Sequence, residues 1–336
     1  MAANSTDNGS AERGSGRAGQ SMGEAVNRPA LMIFRLAETE VLMSKVWLVT
    51  GSSSGLGRDI AEAVLGAGDR LLATARDPQQ LNDLVERYGE QVSTALLDVS
   101  DEAAAKAAVA KAVDVFGRLD VLVNNAGYGD TAPFEQVSSE RFRALIETNF
   151  FGVVSLTRAA IPIMRQQKSG CILQISSVGG RLATPGSASY HAAKWAVGGF
   201  TEAVALEVAS FGVKVCALEP GGMRTNWGNR AVADVPNLLP EYEPSVGALL
   251  RTLATYWGHE TSDPAKVARV ILHLATKEQL PSHLLLGSDA VQYARAADDK
   301  REVDAKAWHD VSISTDAEAV KGQQRSHELQ GSLACL

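Results

Sequence analysis

Short, wholly apolar runs alternate along this chain with longer stretches whose apolar residues recur every three to four positions. Val46 to Val49 is such a run, broken at Thr50-Gly51, and it predicts a buried strand. A helix is expected from about Leu56 to Gly66, with Ile60, Ala61, Val64 and Leu65 on one face. Leu71 to Thr74 reads as the second strand. Asp77-Pro78 then offers an N-cap and a first-turn proline for a helix that turns Leu81, Leu84 and Val85 inward. Further strands are expected at Val92 to Leu97, Val121 to Val123, Cys171 to Ile175, Val213 to Leu218 and Leu284 to Leu286. Between them, Ser100 should cap a helix ending at Phe116, and Ser138 should open a long helix through about Met164. Another helix is expected from about Ser187 to Ser210, and Asp263-Pro264 should start one that ends at Leu274.

Strands that are apolar throughout and separated by helices imply a parallel sheet covered on both faces. The expected fold class is therefore α/β: a doubly wound parallel sheet of about seven strands in three layers. Such a sheet binds its ligand beyond the carboxyl ends of the strands, near the point where strand order reverses. The residues that follow strands are the ones to examine.

Composition changes this picture mainly at the ends. The first 25 or so residues are rich in Gly, Ser, Ala and Asn, and residues 1–43 are expected to be a disordered extension. The apolar patch Leu31 to Phe34 is too short for a signal-peptide core or a membrane span. No membrane partner is expected. The catalytic unit should occupy residues 44–292, followed over 293–336 by a helix and a tail that is loose from about Asp316. A net charge of −7 argues against a nucleic-acid footprint, which needs a basic surface. The three cysteines, Cys171, Cys216 and Cys335, have no C-x-x-C spacing. They point to neither a zinc site nor a disulfide framework, and so to a reducing cytoplasm. No metal site is expected.

The segment Thr50-Gly51-Ser52-Ser53-Ser54-Gly55-Leu56-Gly57 joins the first strand to the first helix. A turn poor in Cβ atoms lets backbone approach a pyrophosphate, and the helix start supplies unpaired N–H donors. The spacing is G-x-x-x-G-x-G, a weak signal alone that gains weight from its place in a strand-helix-strand unit. After the second strand, Ala75 stands where an acid would bind a ribose 2′-hydroxyl, and Arg76 follows. An arginine there suits a 2′-phosphate, which favours NADP(H) over NAD. Asp77, the counter-argument, reads as a helix cap before Pro78.

Tyr190 and Lys194 are four residues apart on a helix and share a face. A free phenol has a pKa of about 10, and a nearby ammonium should lower it enough for proton transfer. Y-x-x-x-K also describes an exposed tyrosine beside a solvated lysine, so its meaning depends on company. The glycine turn, Asn124-Asn125-Ala126-Gly127 after the fourth strand, Ser177 and Tyr190-x-x-x-Lys194 together resemble the short-chain dehydrogenase/reductase family. The resemblance covers roughly residues 44–287.

That resemblance implies a Rossmann fold, a nicotinamide cofactor and a homodimer or homotetramer. It implies that Tyr190 is the acid/base, that Lys194 lowers its pKa and holds the nicotinamide ribose, and that Ser177 rather than Ser176 polarises the substrate oxygen. Asn149 resembles a helix-bending asparagine supporting a proton relay to the lysine. Gly51, Ser53, Ser54, Gly55, Leu56 and Gly57 would cradle the pyrophosphate. Asp98, with Val99 beside it, would meet the adenine. Asn124, Asn125, Ala126 and Gly127 would form a wall along the cofactor, and Pro220, Gly221 and Thr225 a loop over the nicotinamide.

Two other readings remain. A serine hydrolase needs G-x-S-x-G at a strand-to-helix turn, and Ile175-Ser176-Ser177-Val178-Gly179 lacks the first glycine. His191 reads as a helix-surface or cleft-lining residue rather than its partner. A catalytically silent cofactor-binding protein would have a damaged proton-transfer set, whereas Ser177, Tyr190, Lys194 and Asn149 are all present. The segment of about 226–259 should form a lid carrying Trp227, Leu238, Tyr242, Tyr256 and Trp257, which suits an apolar carbonyl or alcohol. The substrate itself is not legible.

Overall fold

Each expected strand forms. The computed structural model describes residues 44–317. The strands are β1 (Val46–Val49), β2 (Arg70–Ala75), β3 (Val92–Leu96), β4 (Val121–Asn124), β5 (Gly170–Ile175), β6 (Val213–Pro220) and β7 (His283–Leu286). They make one seven-stranded sheet in the order β3-β2-β1-β4-β5-β6-β7, and every pairing is parallel. The order reverses between β1 and β4, which opens a crevice at their carboxyl ends.

The sheet is apolar on both faces because both are covered. Trp47, Val49, Leu71, Val123 and Leu173 point to one side, against Ile60 and Val64 of α1 (Gly55–Gly66) and Ile271 of α9 (Pro264–Leu274). Leu48, Leu72, Leu122 and Ile172 point to the other, against α3 (Glu102–Phe116), α5 (Gly152–Gln167) and α6 (Ala188–Val208). The period-2 alternation is thus hidden in the sequence and explicit in the structure. The remaining helices are α2 (Asn82–Tyr88), α4 (Ser139–Ile146), α7 (Trp227–Ala231), α8 (Ala248–Tyr256), α10 (Ser288–Ala307) and α11 (His309–Ile313).

Several boundaries differ from expectation. Asp101, not Ser100, caps α3 by accepting from the N–H groups of Ala103 and Ala104, and Ser100 instead binds Asp98. Leu81 and Leu84 are buried, but Val85 is exposed. The segment begins as a tight turn of three residues per rotation, Pro78–Leu81, and this shifts the phase of α2. Ser138 does cap α4, yet the long helix it opens is interrupted by a π turn at Glu147–Phe151 before continuing as α5. This helix is apolar enough to match a membrane span in composition. Its Leu156, Ala160 and Met164 are spent on the core beneath the sheet. Helix α10 runs straight through position 292, where the catalytic unit was expected to end. The expected N-terminal extension, most of the loose tail and Cys335 lie outside the described residues.

A buried polar bridge ties β4, β5 and α5 together. Asn124 Nδ2 donates to Gln174 Oε1 at 2.7 Å and to Thr157 Oγ1 at 3.2 Å, and Gln174 Nε2 donates to Thr157 Oγ1 at 3.0 Å. Asn124 is therefore enclosed in the fold and not part of a wall along the cleft, as the sequence suggested. Gln174→Leu would strand the amide and hydroxyl inside the protein, at a cost of about 1–3 kcal/mol per unpaired group. Urea unfolding should show that loss as a lower midpoint with an unchanged slope.

Candidate active site

The glycine turn sits where β1 meets α1. Gly51 and Gly55 have φ of +69° and +56°, a region that side chains rarely enter. A Cβ on Gly57 would overlap the Gly51 carbonyl and the Asn125 amide. Ser52 is fully buried, its hydroxyl donating to the Val49 carbonyl at 2.9 Å. Ser53 is half-buried and Ser54 exposed, and Ser54 precedes α1 without capping it by its side chain. The Leu56 side chain belongs to the core, so only its backbone at the helix start faces the turn. What remains is a stretch of backbone left bare of Cβ atoms at Gly51, Gly55 and Gly57, a fit for a pyrophosphate.

Asn125 braces this stretch rather than lining it. Its Nδ2 donates to the Thr50 carbonyl at 2.9 Å, and the N–H groups of Asn125 and Ala126 both donate to Thr50 Oγ1 at 2.9 Å. Along the rim, Arg76 is exposed at the end of β2 and makes no ion pair among the described residues. Asp77 accepts from the Gln79 N–H, as a cap does. Asp98 is exposed, and one of its oxygens accepts from both the N–H and the hydroxyl of Ser100. These bonds, with a smaller pull from Arg76, hold its carboxyl below the usual range. The Val99 side chain is buried against Gly152.

Tyr190, Lys194, Ser177 and Asn149 converge at the carboxyl ends of β4 and β5. The Tyr190 phenol stands near the Ser177 hydroxyl, and Ser177 Oγ accepts from the Gly179 N–H at 3.0 Å. Ser176 is buried and aimed at the Lys194 carbonyl, so geometry separates the two serines. Lys194 Nζ lies 5.8 Å from the centre of the Tyr190 ring and donates to the Ile175 carbonyl at 2.7 Å. Asn149 is fully buried in the π turn. Its Oδ1 accepts from the Tyr128 N–H, and its Nδ2 donates to the Tyr128 and Leu145 carbonyls. Gly127 passes so close that a Cβ there would overlap Asn149 Oδ1 and reach within 3.8 Å of Lys194 Nζ.

The electrostatics differ from the expectation of a lowered phenol. Burial pushes Tyr190 up to about 12, and the Ser177 hydroxyl opposes that only in part. The same burial pulls Lys194 down to about 8. An ammonium nearly 6 Å from the ring centre does not outweigh an apolar surround that penalises both charged forms. His191 is also buried, contrary to its reading as a surface or cleft residue. Its Nε2 accepts from the Thr184 N–H at 2.9 Å, which leaves Nδ1 to donate to the Gly179 carbonyl at 2.8 Å. With both nitrogens committed to loop backbone, it is no partner for a serine nucleophile.

The family model for short chain dehydrogenases matches residues 45–235. This chain belongs to the short-chain dehydrogenase/reductase family. It is 45% identical over 274 residues to an oxidoreductase, BOA17, of Botryotinia fuckeliana, spanning 81% of this chain and all of that one. The solved structure of a short-chain dehydrogenase from Streptomyces avermitilis superposes with a TM-score of 0.76 at 40% identity, covering 82% of this chain and all of its own. A 3-ketoacyl-(acyl-carrier-protein) reductase from Brucella melitensis, solved with NADH, shares 26% identity and a TM-score of 0.62 over 72% of this chain and 96% of its own.

In this member of the short-chain dehydrogenase/reductase family the segment after β6 folds over Tyr190 and the glycine turn. Thr225 lies across the glycine turn, its Cβ 3.8 Å from the position a Cβ on Gly55 would take. Pro220 is buried at the end of β6. Trp227 packs on Tyr190 with ring centres 5.2 Å apart, and its far edge fills the space above Gly129. The next residues are pinned from the other side. Arg141 pairs with buried Asp130 and donates to the Asp234 carbonyl, while Gln136 donates to the Asn237 carbonyl and accepts from the Leu239 N–H. The sequence reading missed Asp130, Arg141 and Gln136; nothing in their local pattern marks them. Gly129 could have been found from the Gly127-x-Gly129 spacing alone.

Burial holds the His191 pKa below its ordinary value of about 6.5. Its contribution to stability is therefore complete above that value and is lost as the pH falls below it and through the lowered value in the folded protein. Thermal melts from pH 8 to pH 5 should show a drop in Tm that a His191→Gln variant, unable to gain a proton, shows less.

Proposed function

We propose that this protein reduces an apolar ketone or aldehyde to the alcohol, using NADPH, with Tyr190 as the proton donor. The observation that carries this reading is the Tyr190 phenol itself. Held at about 12 by burial, it keeps its proton throughout the physiological range and can give it to a developing alkoxide. When bound, the nicotinamide supplies the hydride. Ser177, beside the phenol, is placed to donate a second hydrogen bond to the same oxygen. Lys194 supplies positive charge as the phenol's proton leaves, and its bond to the Ile175 carbonyl fixes where that charge stands. Asn149, locked to Tyr128 and close to Gly127, supports the path by which a proton returns to the lysine.

The residues present fit a dinucleotide. The bare backbone at Gly51, Gly55 and Gly57 would hold the pyrophosphate, Asp98 the adenine, and Thr225 the carboxamide. Arg76, exposed on the rim and without an ion pair among the described residues, is the group that would select a 2′-phosphate. The Brucella reductase carries NADH, so the preference for NADP(H) rests on Arg76 of this chain. Trp227 and the partly buried Leu238, Leu249 and Leu250 support an apolar substrate. A homodimer or homotetramer, and a cytoplasmic location consistent with the free, buried Cys171 and Cys216, belong to the same reading.

Nicotinamide absorbance, followed with a panel of carbonyls and both reduced cofactors, tests it. Tyr190→Phe should abolish turnover while leaving NADPH binding intact, and persistent turnover would sink the assignment. Arg76→Ala should raise KM for NADPH by about tenfold, the loss expected of one charge-assisted contact, while leaving KM for NADH unchanged. The rate of carbonyl reduction should hold below pH 8 and fall as Lys194 loses its proton through about 8. Lys194→Arg should flatten that fall wherever it folds and turns over.

A further inference from the structure

The loop after β6 carries two adjacent glycines, Gly221 and Gly222, and the neighbours that require them are two side chains. A Cβ on Gly221 would overlap the Asp289 carboxyl group, and a Cβ on Gly222 would overlap the Tyr256 hydroxyl. Asp289 stands in the first turn of α10, only 9% exposed, where the helix dipole favours a negative charge. Its Oδ2 accepts from the Gly222 N–H at 2.8 Å and from the Tyr256 hydroxyl at 3.4 Å. Its Oδ1 is buried with no partner among the described residues. Burial, and then the charge of Asp289, raise the Tyr256 phenol, so it remains a donor.

One carboxyl group therefore touches three elements. It holds the loop through Gly222, the end of α8 through Tyr256, and its own helix α10. The loop continues from Gly222 to Thr225, which crosses the glycine turn, and on to Trp227, which lies on Tyr190. Burying a carboxyl group with one oxygen unpaired is costly, and its two hydrogen bonds go to this loop and to the end of α8. We infer that Asp289 is a positioning residue: it sets the height of the Pro220–Thr225 loop over the nicotinamide site and locks α8 of the lid to the same point. This rests on the dinucleotide-dependent reading above, and it gives Gly221 a role in packing that the sequence assigned to cofactor contact.

The test uses the full chain with Asp289→Ala, Asp289→Asn and Tyr256→Phe. NADPH affinity is read by titration calorimetry, and turnover with NADPH and with NADPH deuterated at the transferred position. Asp289→Ala should weaken NADPH binding and lower kcat by about tenfold or more, as loss of a buried charged acceptor does. KM for the carbonyl should stay within about twofold, and the isotope effect should rise as hydride transfer becomes limiting. Asp289→Asn keeps an acceptor for Gly222 and should recover most of the loss. Tyr256→Phe, which leaves the Gly222 bond intact, should give a smaller loss of the same kind. If the unmodified protein binds no nicotinamide dinucleotide, the functional reading fails and this inference with it. If it binds NADPH and Asp289→Ala binds and turns over equally well, only the inference fails. It also fails if Asp289→Asn and Tyr256→Phe change activity only in proportion to folded protein by circular dichroism, which decides the matter even where the alanine variant does not fold.

Discussion

Everything at the cleft depends on how the ends of β1 and β4 are joined. Thr50 closes β1, and its hydroxyl accepts from the N–H groups of Asn125 and Ala126 just beyond β4. The Asn125 amide answers by donating to the Thr50 carbonyl. At this crevice the sheet changes winding direction, and the strands' helices depart to opposite faces. Without the stitch, two left-handed glycines and a close-packed third would form a slack loop. With it, the bare backbone of the turn and the Gly127 approach to Asn149 become one rigid floor. Preorganisation of this kind lets a site bind a charged group without reorganising itself.

The fold was legible because burial on both faces of a parallel sheet leaves a crude signal: apolar runs of strand length separated by amphipathic helices. Every strand appeared within a residue or two of where Val46, Leu71, Val92, Val121, Cys171, Val213 and Leu284 placed it. The errors are local and have local causes. Ser100 and Asp101 are both good caps, and only the geometry of the turn at Asp98 decides which one is used. Val85 fell on the wrong face because a tight first turn is invisible to a count based on 3.6 residues.

The candidate site was legible in part for a different reason. Tyr190, Lys194 and Ser177 stand at a helix start and a strand end, and Asn149 within a helix, in a familiar order, so their convergence could be expected. Their environment could not. Spacing brings the ammonium near the phenol, but whether it lowers the phenol's pKa depends on how much water surrounds the pair. Roles within the Asn124-Asn125 pair were also out of reach. One amide turns into the core toward Gln174 and the other toward the glycine turn, a choice fixed by the alternation of side chains along β4. The contacts of Asp130, Arg141 and Asp289 join residues distant in sequence, and no periodicity announces them.

The π turn at Glu147–Phe151 has a consequence for how this helix can vary. One residue beyond the normal count rotates all that follows by about 100°, the angle of a single helical step. Just ahead of the turn and within it, the Leu145 carbonyl and Asn149 serve the cleft; after it, Leu156, Ala160 and Met164 serve the core. The turn works as a phase shifter, letting one continuous rod address two surfaces that a regular helix could not serve together. A single-residue deletion there would restore ideal helical geometry and mis-index either the cleft or the core, whereas the same deletion in a loop would be absorbed. Regularity, usually a mark of stability, would here undo the molecule.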